Sequence, residues 1–141
     1  LFTTYAYYNS DKFVFYGEPL MKRSMAYRTF LDAGVHATAG SDFSPGPFAP
    51  LMGMQGMVTR KGWNGEVWGA GQAITPAEGL KVWTLNAAYA AFEEDVKGSI
   101  TPGKFADLVF LDRDPLTADP QTIKDIKVMR TIVGGRTVYQ A

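Results

Sequence analysis

Asp42 is the residue best placed for chemistry in this sequence. It follows a short, mostly apolar run, residues 35–39 (VHATA), and a Gly40-Ser41 pair. A short apolar run after a helix is typical of a buried parallel strand, and functional sites collect at the carboxyl ends of such strands. A carboxylate there can face a ligand or a metal ion. The alternative is that Gly40-Ser41-Asp42 is only a structural turn.

The composition excludes several other kinds of chemistry. The 141 residues include no cysteine, one histidine, and 14 basic against 14 acidic side chains. Disulfides, thiolate catalysis and cysteine-ligated zinc are therefore excluded, and the chain cannot supply a multi-histidine metal site by itself. Zero net charge favours neither nucleic acid nor an anionic membrane as a partner, and no apolar window reaches the roughly 20 residues of a membrane helix. Carboxylates must carry most of any chemistry.

Two further motifs look like sites and are interpreted as structural. His36 precedes Asp42 by six residues, which is roughly 20 Å along an extended strand at about 3.3 Å per residue. Zinc–ligand bonds are near 2 Å, so the two side chains cannot share an ion in that geometry, and we expect a packed histidine. Residues 97–104 (KGSITPGK) lack the spacing of a phosphate-binding loop and precede a strand, which predicts a turn.

The elements that must position Asp42 follow from periodicity and breakers. A helix is predicted over residues 18–32, with Pro19 in its first turn, and a strand over residues 35–39. Glycines and prolines predict a long loop over residues 43–71, with a short helix near residues 51–60. This loop contains Phe43 and Ser44 beside Asp42. It also contains Arg60, whose cation could hold an anionic group.

The second half of the chain changes from a helical to a strand pattern. Thr75 and Glu78 form a capping box that opens a helix fading through residues 93–97. Strands are predicted over residues 106–111, 126–133 and 136–139, with Gly134-Gly135 as the turn of the last hairpin. Two or three strands are marginal in water, so this sheet needs something else to pair with.

Several segments together resemble the carboxyl-terminal part of metal-dependent amidohydrolases. The match is to the amidohydrolase 3 group, which includes D-aminoacylase-like and N-substituted formamide deformylase-like enzymes. The longest and most specific segment is residues 97–115 (KGSITPGKFADLVFLDRDP). The others are residues 31–35 (LDAGV), 40–42 (GSD), 84–89 (TLNAAY) and 131–136 (TIVGGR).

The resemblance implies an α/β fold, namely the carboxyl-terminal part of a (β/α)8 barrel plus strands of a small composite β-sandwich. Residues 1–96 would belong to the barrel and residues 97–141 to the sandwich. Residues 1–5 would lie near the seventh strand, residues 35–41 would form the eighth, and residues 75–94 the last barrel helix. Since the sequence opens in a strand-like run without a methionine, we expect a piece of a longer chain, with the removal of a leader as the weaker explanation.

The resemblance also implies a reaction, the hydrolysis of a C–N bond in a small amide or N-acyl substrate. The family's eighth-strand aspartate maps onto Asp42, which would bind a divalent metal, with zinc expected, and act as the general base. Phe43, Ser44 and Arg60 are candidate substrate contacts. The family's other ligands do not map onto this chain, and His36 inherits no ligand role. They would lie upstream or in another chain, and a homo-oligomer stays open, as does the alternative of a non-catalytic module or a subunit that completes a barrel.

Overall fold

The computed structural model describes residues 1–141, which form short helices followed by one small sheet. The α-helices are α1 Tyr5–Tyr8, α2 Gly17–Met21, α3 Tyr27–Asp32, α4 Pro50–Thr59, α5 Pro76–Trp83 and α6 Leu85–Ala90. Three 3₁₀ segments cover Ser10–Phe15, Ala70–Gln72 and Pro120–Asp125. The strands are β1 Leu108–Leu111, β2 Val128–Val133 and β3 Arg136–Gln140. None of the helices combines the length and apolarity needed to cross a membrane.

The single helix predicted over residues 18–32 was wrong, because the chain forms α2 and α3 with a break between them. Met25 in the break adopts a positive φ of 48°. The buried guanidinium of Arg60 explains the break, since it donates to carbonyl oxygens at the end of α2 and within residues 24–25. Those carbonyl groups find a partner outside a helix, so the chain can leave the helical path there.

The structure corrects the expectation that the Arg60 cation could hold an anionic group. It is 2% exposed, and its guanidinium donates to the Trp68 carbonyl at 3.0 Å and to the Met25 carbonyl at 3.3 Å. It also lies over the Tyr27 ring, 5.8 Å from the centroid. Burial lowers the pKa of Arg60 from its ordinary value. These contacts leave Arg60 buried in a structural role and argue against its reaching a substrate.

The strand predicted over residues 35–39 is not formed, and the pairing in this region is a single parallel bridge between Phe2 and Gly40, just after those residues. The amide of Thr3 donates to the Gly40 carbonyl at 2.9 Å, and the Gly40 amide donates to the Leu1 carbonyl at 2.9 Å. The parallel neighbour is therefore residues 1–3, but the pairing is too short to count as a strand. A strand of a parallel sheet is normally paired along its length and covered on both faces, and residues 1–3 alone do not supply that.

Helix α4 confirms the short helix predicted near residues 51–60 and carries much of the core. Its Met54 and Met57 are buried with Val82 of α5 and with Ile123 and Ile126. A Cβ at Gly56 would approach the Ala6 Cβ to 3.1 Å, so this glycine lets α4 lie close against α1. Since Ile123 and Ile126 come from the segment assigned to the sandwich, residues 97–141 share one core with residues 1–96. The division into two domains stays a prediction.

The capping box at the start of α5 is confirmed. The Thr75 hydroxyl accepts from the Glu78 amide at 3.2 Å, and the Glu78 carboxylate accepts from the Thr75 amide at 2.8 Å. Arg28 of α3 donates to the same carboxylate at 2.7 Å. The predicted helix does not continue beyond Trp83, because Thr84 leaves helical geometry (φ −119°, ψ −85°) before α6 begins.

The predicted strands and hairpin are present as an antiparallel sheet in the order β1-β2-β3. Leu108 pairs with Ile132, and Gly134 and Gly135 turn the hairpin with φ of 55° and 79°. Both positive values suit a tight two-residue turn that glycine adopts without strain. The sheet nevertheless exposes apolar side chains, such as Val109 (54%) and Val138 (61%).

The ion pair and capping contacts of Glu78 give a first testable prediction. The hydrogen bond from the Thr75 amide, and then the Arg28 ion pair, hold the pKa of Glu78 below its usual 4.5. The contribution of the Glu78 carboxylate to the free energy of unfolding is therefore full above about pH 4.5, and it is lost as the pH falls through the lowered pKa. We expect Glu78→Ala to lower the free energy of unfolding by about 1 kcal/mol at neutral pH.

Urea unfolding followed by circular dichroism at neutral and acid pH measures this effect. Glu78→Gln keeps an acceptor for the capping box, so we expect a smaller loss and a weaker dependence on acid. Asp11→Asn, which removes an exposed carboxylate outside the hydrogen-bonded network, is the matched control. An acid dependence unchanged in Glu78→Gln would contradict the assignment.

The buried position of Arg60 gives a second prediction. Replacement by methionine keeps a long apolar stem but leaves carbonyl oxygens around residues 21–25 and 68 without a donor. We expect Arg60→Met to lower the free energy of unfolding by about 3 kcal/mol, since each unsatisfied buried group costs about 1–3 kcal/mol. Urea unfolding measures the loss, and Lys61→Met is the control at the neighbouring cation. Wild-type stability together with a raised KM would restore Arg60 as a substrate contact.

Candidate functional site

Asp42 lies directly after the parallel bridge, at the end of the segment that approaches residues 1–3. Its backbone has a positive φ of 53°, which a non-glycine residue adopts at a cost and which aspartate tolerates better than most. The residue is half-buried, and its Oδ2 accepts a hydrogen bond of 2.6 Å from the Tyr5 hydroxyl. The carboxylate therefore has one oxygen held by the chain and Oδ1 without a partner within it.

Three consecutive residues, Thr3, Thr4 and Tyr5, hold the segment that ends at Asp42. Each contacts the residue 37 positions later in the chain. The contacts are the Thr3 amide to the Gly40 carbonyl (2.9 Å), the Thr4 hydroxyl to the Ser41 carbonyl (2.9 Å) and the Tyr5 hydroxyl to Asp42. Thr3 and Thr4 are fully buried. The register of this pairing sets where the carboxylate lies.

The loop after Asp42 closes tightly on the same segment. The Gly46 amide donates to the Asp42 carbonyl at 3.0 Å. A Cβ at Gly46 would lie 2.1 Å from the Ser41 carbonyl oxygen and 3.0 Å from the Thr4 hydroxyl oxygen. The backbone groups cannot move aside easily, so only glycine fits at this approach.

The electrostatic effect of this arrangement appears at Tyr5. The hydrogen bond to Asp42, followed by desolvation and the carboxylate charge, raises the pKa of Tyr5 above its ordinary value. The phenol therefore stays protonated at neutral pH and remains a donor to Asp42. Tyr5 was not identified from the sequence. The signal was its place at the end of residues 1–5, which the expected strand order puts beside residues 35–41.

The other predicted site residues are not all brought together with Asp42. Phe43 and Ser44 follow it and are exposed, and the Phe43 ring packs edge-on against Phe48 with centroids 5.8 Å apart. Their contact with a substrate stays a prediction. Arg60 is buried against the Tyr27 ring, away from any free surface.

His36 is exposed rather than packed in a core. Its ring meets Tyr89 edge-on at 4.5 Å between centroids. It lines a separate cavity of about 240 Å³ with Arg28 and Glu78. No contact joins it to the Asp42 site.

A metal ion needs more donors than this chain brings to one place. No group of three or more His, Cys, Asp or Glu side chains is arranged to hold an ion. A carboxylate oxygen is nevertheless a donor that divalent cations accept, and Oδ1 of Asp42 has no partner in the chain. Oδ1 of Asp42 is therefore chemically suited to bind a cation, and this chain by itself does not complete a metal site.

Comparison with known proteins gives consistent matches. The chain is 35% identical to an N-substituted formamide deformylase of Arthrobacter pascens over 113 residues, which cover 80% of this chain and 21% of that protein. It is 30% identical over 127 residues to YtcJ of Bacillus subtilis strain 168, a protein named as an amidohydrolase, covering 88% of this chain and 24% of that protein. The chain thus spans roughly a quarter of the length of these relatives.

A solved structure of an amidohydrolase from Thermotoga maritima MSB8 also matches. Its TM-score is 0.62 at 25% sequence identity, over 86% of this chain and 26% of that one. The sequence profile of the amidohydrolase family matches residues 10–139, nearly the whole chain. The resemblance carried by residues 31–35, 40–42 and 97–115 is thereby confirmed, and the chain belongs to the amidohydrolase family.

Proposed function

We propose that this chain is the carboxyl-terminal part of a hydrolase that cleaves the C–N bond of a small amide or N-acyl compound. Residues 1–96 would belong to a (β/α)8 barrel and residues 97–141 to a composite β-sandwich. Membership of the amidohydrolase family and the similarity to a formamide deformylase support the reaction class. The observation that carries the proposal is the Asp42 carboxylate, held at the end of the parallel segment with one oxygen left free.

Asp42 has two roles in this proposal. Members of the family commonly use divalent metals. We propose that Oδ1 of Asp42 is one ligand of such an ion and that the ion is zinc. The ion, when bound, lowers the pKa of water and polarises the scissile carbonyl. The Asp42 carboxylate would accept the proton of the attacking water and return it to the leaving amine. A half-buried carboxylate with a fixed orientation suits both proton transfers.

The remaining ligands would come from polypeptide outside residues 1–141, upstream or in another chain. The exposed apolar side chains support this, because large apolar surfaces usually mark contacts with other protein. Phe92 and Ile100 are 92% and 91% exposed, and the sheet exposes Val138. No observation favours the alternative of a non-catalytic module.

Phe43 and Ser44 are proposed to contact the substrate. Both side chains are exposed directly after Asp42, where the loop leaves the site. The Phe43 ring offers an apolar face to the acyl or amine substituent, and the Ser44 hydroxyl offers a donor and an acceptor. Arg60 has no such role, because its guanidinium is buried against main-chain carbonyls.

Asp42→Asn in the gene product that carries residues 1–141 tests the proposed function. Asparagine keeps the shape and can still accept from Tyr5, but it cannot take a proton. We expect kcat for hydrolysis of N-substituted formamides and N-acyl amines to fall by about 10²–10⁴-fold, the range of a lost general base. Amine release measures turnover, and circular dichroism verifies the fold.

Asp95→Asn is the matched control, because Asp95 is exposed and has no hydrogen-bonded partner. We expect it to turn over at the wild-type rate. Turnover by Asp42→Asn near the wild-type rate would rule out Asp42 as the base.

Residues 1–141 produced alone give a further prediction. Asp42 is the one metal ligand that we propose in this chain, and no group of three or more His, Cys, Asp or Glu side chains is arranged to hold an ion. We therefore expect residues 1–141 to retain far less than one zinc per chain after dialysis and to hydrolyse no amide. Elemental analysis of the purified polypeptide measures the metal content. Stoichiometric zinc would show that the chain holds a site we have not recognised.

A further inference from the structure

A hydrogen bond joins Tyr5 and Asp42, which lie 37 positions apart in the chain. The neighbouring residues hold this bond in place more firmly than they would hold a contact between two surface side chains. Its length of 2.6 Å is in the range of a charge-assisted O–H···O⁻ bond. It continues the register of two hydrogen bonds that the fully buried Thr3 and Thr4 make with residues 40–41. The tyrosine is therefore aimed at the carboxylate by the same pairing that positions Asp42.

The Tyr5 ring is itself held in place. The Phe2 ring lies beside it, with centroids 5.9 Å apart and the planes tilted by 55°. The loop also passes so close that a Cβ at Gly46 would lie 3.1 Å from Cε1 of the ring. Because its backbone follows the buried Thr4 and its ring lies against both of these neighbours, the phenol has little freedom to turn away.

An aspartate carboxylate without such a partner would not be fixed in this way. The terminal torsion of aspartate is broad, so a half-exposed carboxylate samples many orientations. A hydrogen bond from a fixed donor to Oδ2 restricts that rotation and leaves Oδ1 directed away from the tyrosine. Groups that orient a ligand or base typically change metal affinity or activity by about 10–100-fold when they are removed.

We propose that Tyr5 is a positioning residue that fixes the orientation of the Asp42 carboxylate through its hydroxyl. This inference rests on the proposed function, because it assigns Tyr5 a role only if Asp42 acts in catalysis. Tyr5 does not touch the reacting atoms in this arrangement. Its loss therefore affects the rate of the step that uses Asp42 more than the binding of substrate.

Tyr5→Phe in the gene product that carries residues 1–141 tests the inference, since it removes one hydroxyl and keeps the ring. With a simple N-substituted formamide as substrate, we expect kcat to fall about 10–100-fold while KM changes by less than about twofold. Tyr8→Phe is the matched control, on the same helix α1. The Tyr8 side chain is 47% exposed and its hydroxyl has no hydrogen-bonded partner, so we expect wild-type kcat and KM.

A second readout does not depend on activity. Denaturant midpoints of Tyr5→Phe, Asp42→Ala and the double variant form a double-mutant cycle. If the hydroxyl acts through the carboxylate, Tyr5→Phe lowers the midpoint when Asp42 is present and lowers it less when Asp42 is alanine. Equal shifts in the two backgrounds would overturn the inference, whatever the kinetics.

The two proposals fail in different ways. If Asp42→Asn is inactive while Tyr5→Phe and Tyr8→Phe both retain wild-type kcat, the positioning role of Tyr5 is overturned and the role of Asp42 stands. If Asp42→Asn retains turnover, the proposed function is overturned and the role of Tyr5 in catalysis is overturned with it. A fall in kcat confined to Tyr5→Phe and Asp42→Asn, with coupled midpoints, supports both.

Discussion

The parallel pairing between residues 1–5 and residues 38–42 is the contact on which the candidate site depends. The amino group of Leu1 donates to the Thr38 carbonyl at 3.0 Å, and the pairing then runs through Thr3 and Thr4 to Tyr5. Its partners are far apart in sequence, so closing it costs chain entropy that the buried contacts around it must offset. If this pairing were shifted by one residue, a side chain other than that of Tyr5 would lie opposite Asp42.

The core behind this pairing is built around α4 and the buried Arg60. Gly53 and Gly56 allow α4 to lie against residues 3–7, since a Cβ at Gly53 would come within 2.3 Å of the Thr3 hydroxyl oxygen. Arg60, which follows α4, binds the carbonyl groups of the break between α2 and α3. One helix thus supports both the segment that carries Tyr5 and the turn before α3. A buried cation is tolerated there because main-chain oxygens satisfy its donors.

The exposed apolar surface bears on the proposed place of this chain in a larger enzyme. Only 24 of the 141 residues are buried, and apolar side chains of the sheet and of the turns after α6 face outward. Two or three strands with an uncovered apolar face are marginal alone. The relatives are about four to five times as long as the matched region, which agrees with a proposal in which other polypeptide covers these faces and supplies the remaining metal ligands.

Local sequence patterns predicted the elements whose signals lie within a few residues. The capping box of Thr75 and Glu78, the glycine turn at Gly134-Gly135 and the strands beside it depend on neighbouring residues, and the structure confirms them. The family was likewise readable from short segments such as residues 97–115. Asp42 stood out because a polar residue after an apolar run is a local feature.

The tertiary structure decided the features that depend on contacts between residues far apart in the sequence. The break between α2 and α3 depends on Arg60, which lies 35 positions after Met25, and no helical periodicity reveals such a partner. The same burial gave Arg60 a structural role, although its place in a loop had suggested a substrate contact. Tyr5 meets Asp42, 37 positions later in the chain, because the two segments pair in this register. Residue types and spacing thus determined which groups are available, whereas long-range packing decided which of them meet, because neighbouring residues do not encode contacts made across the fold.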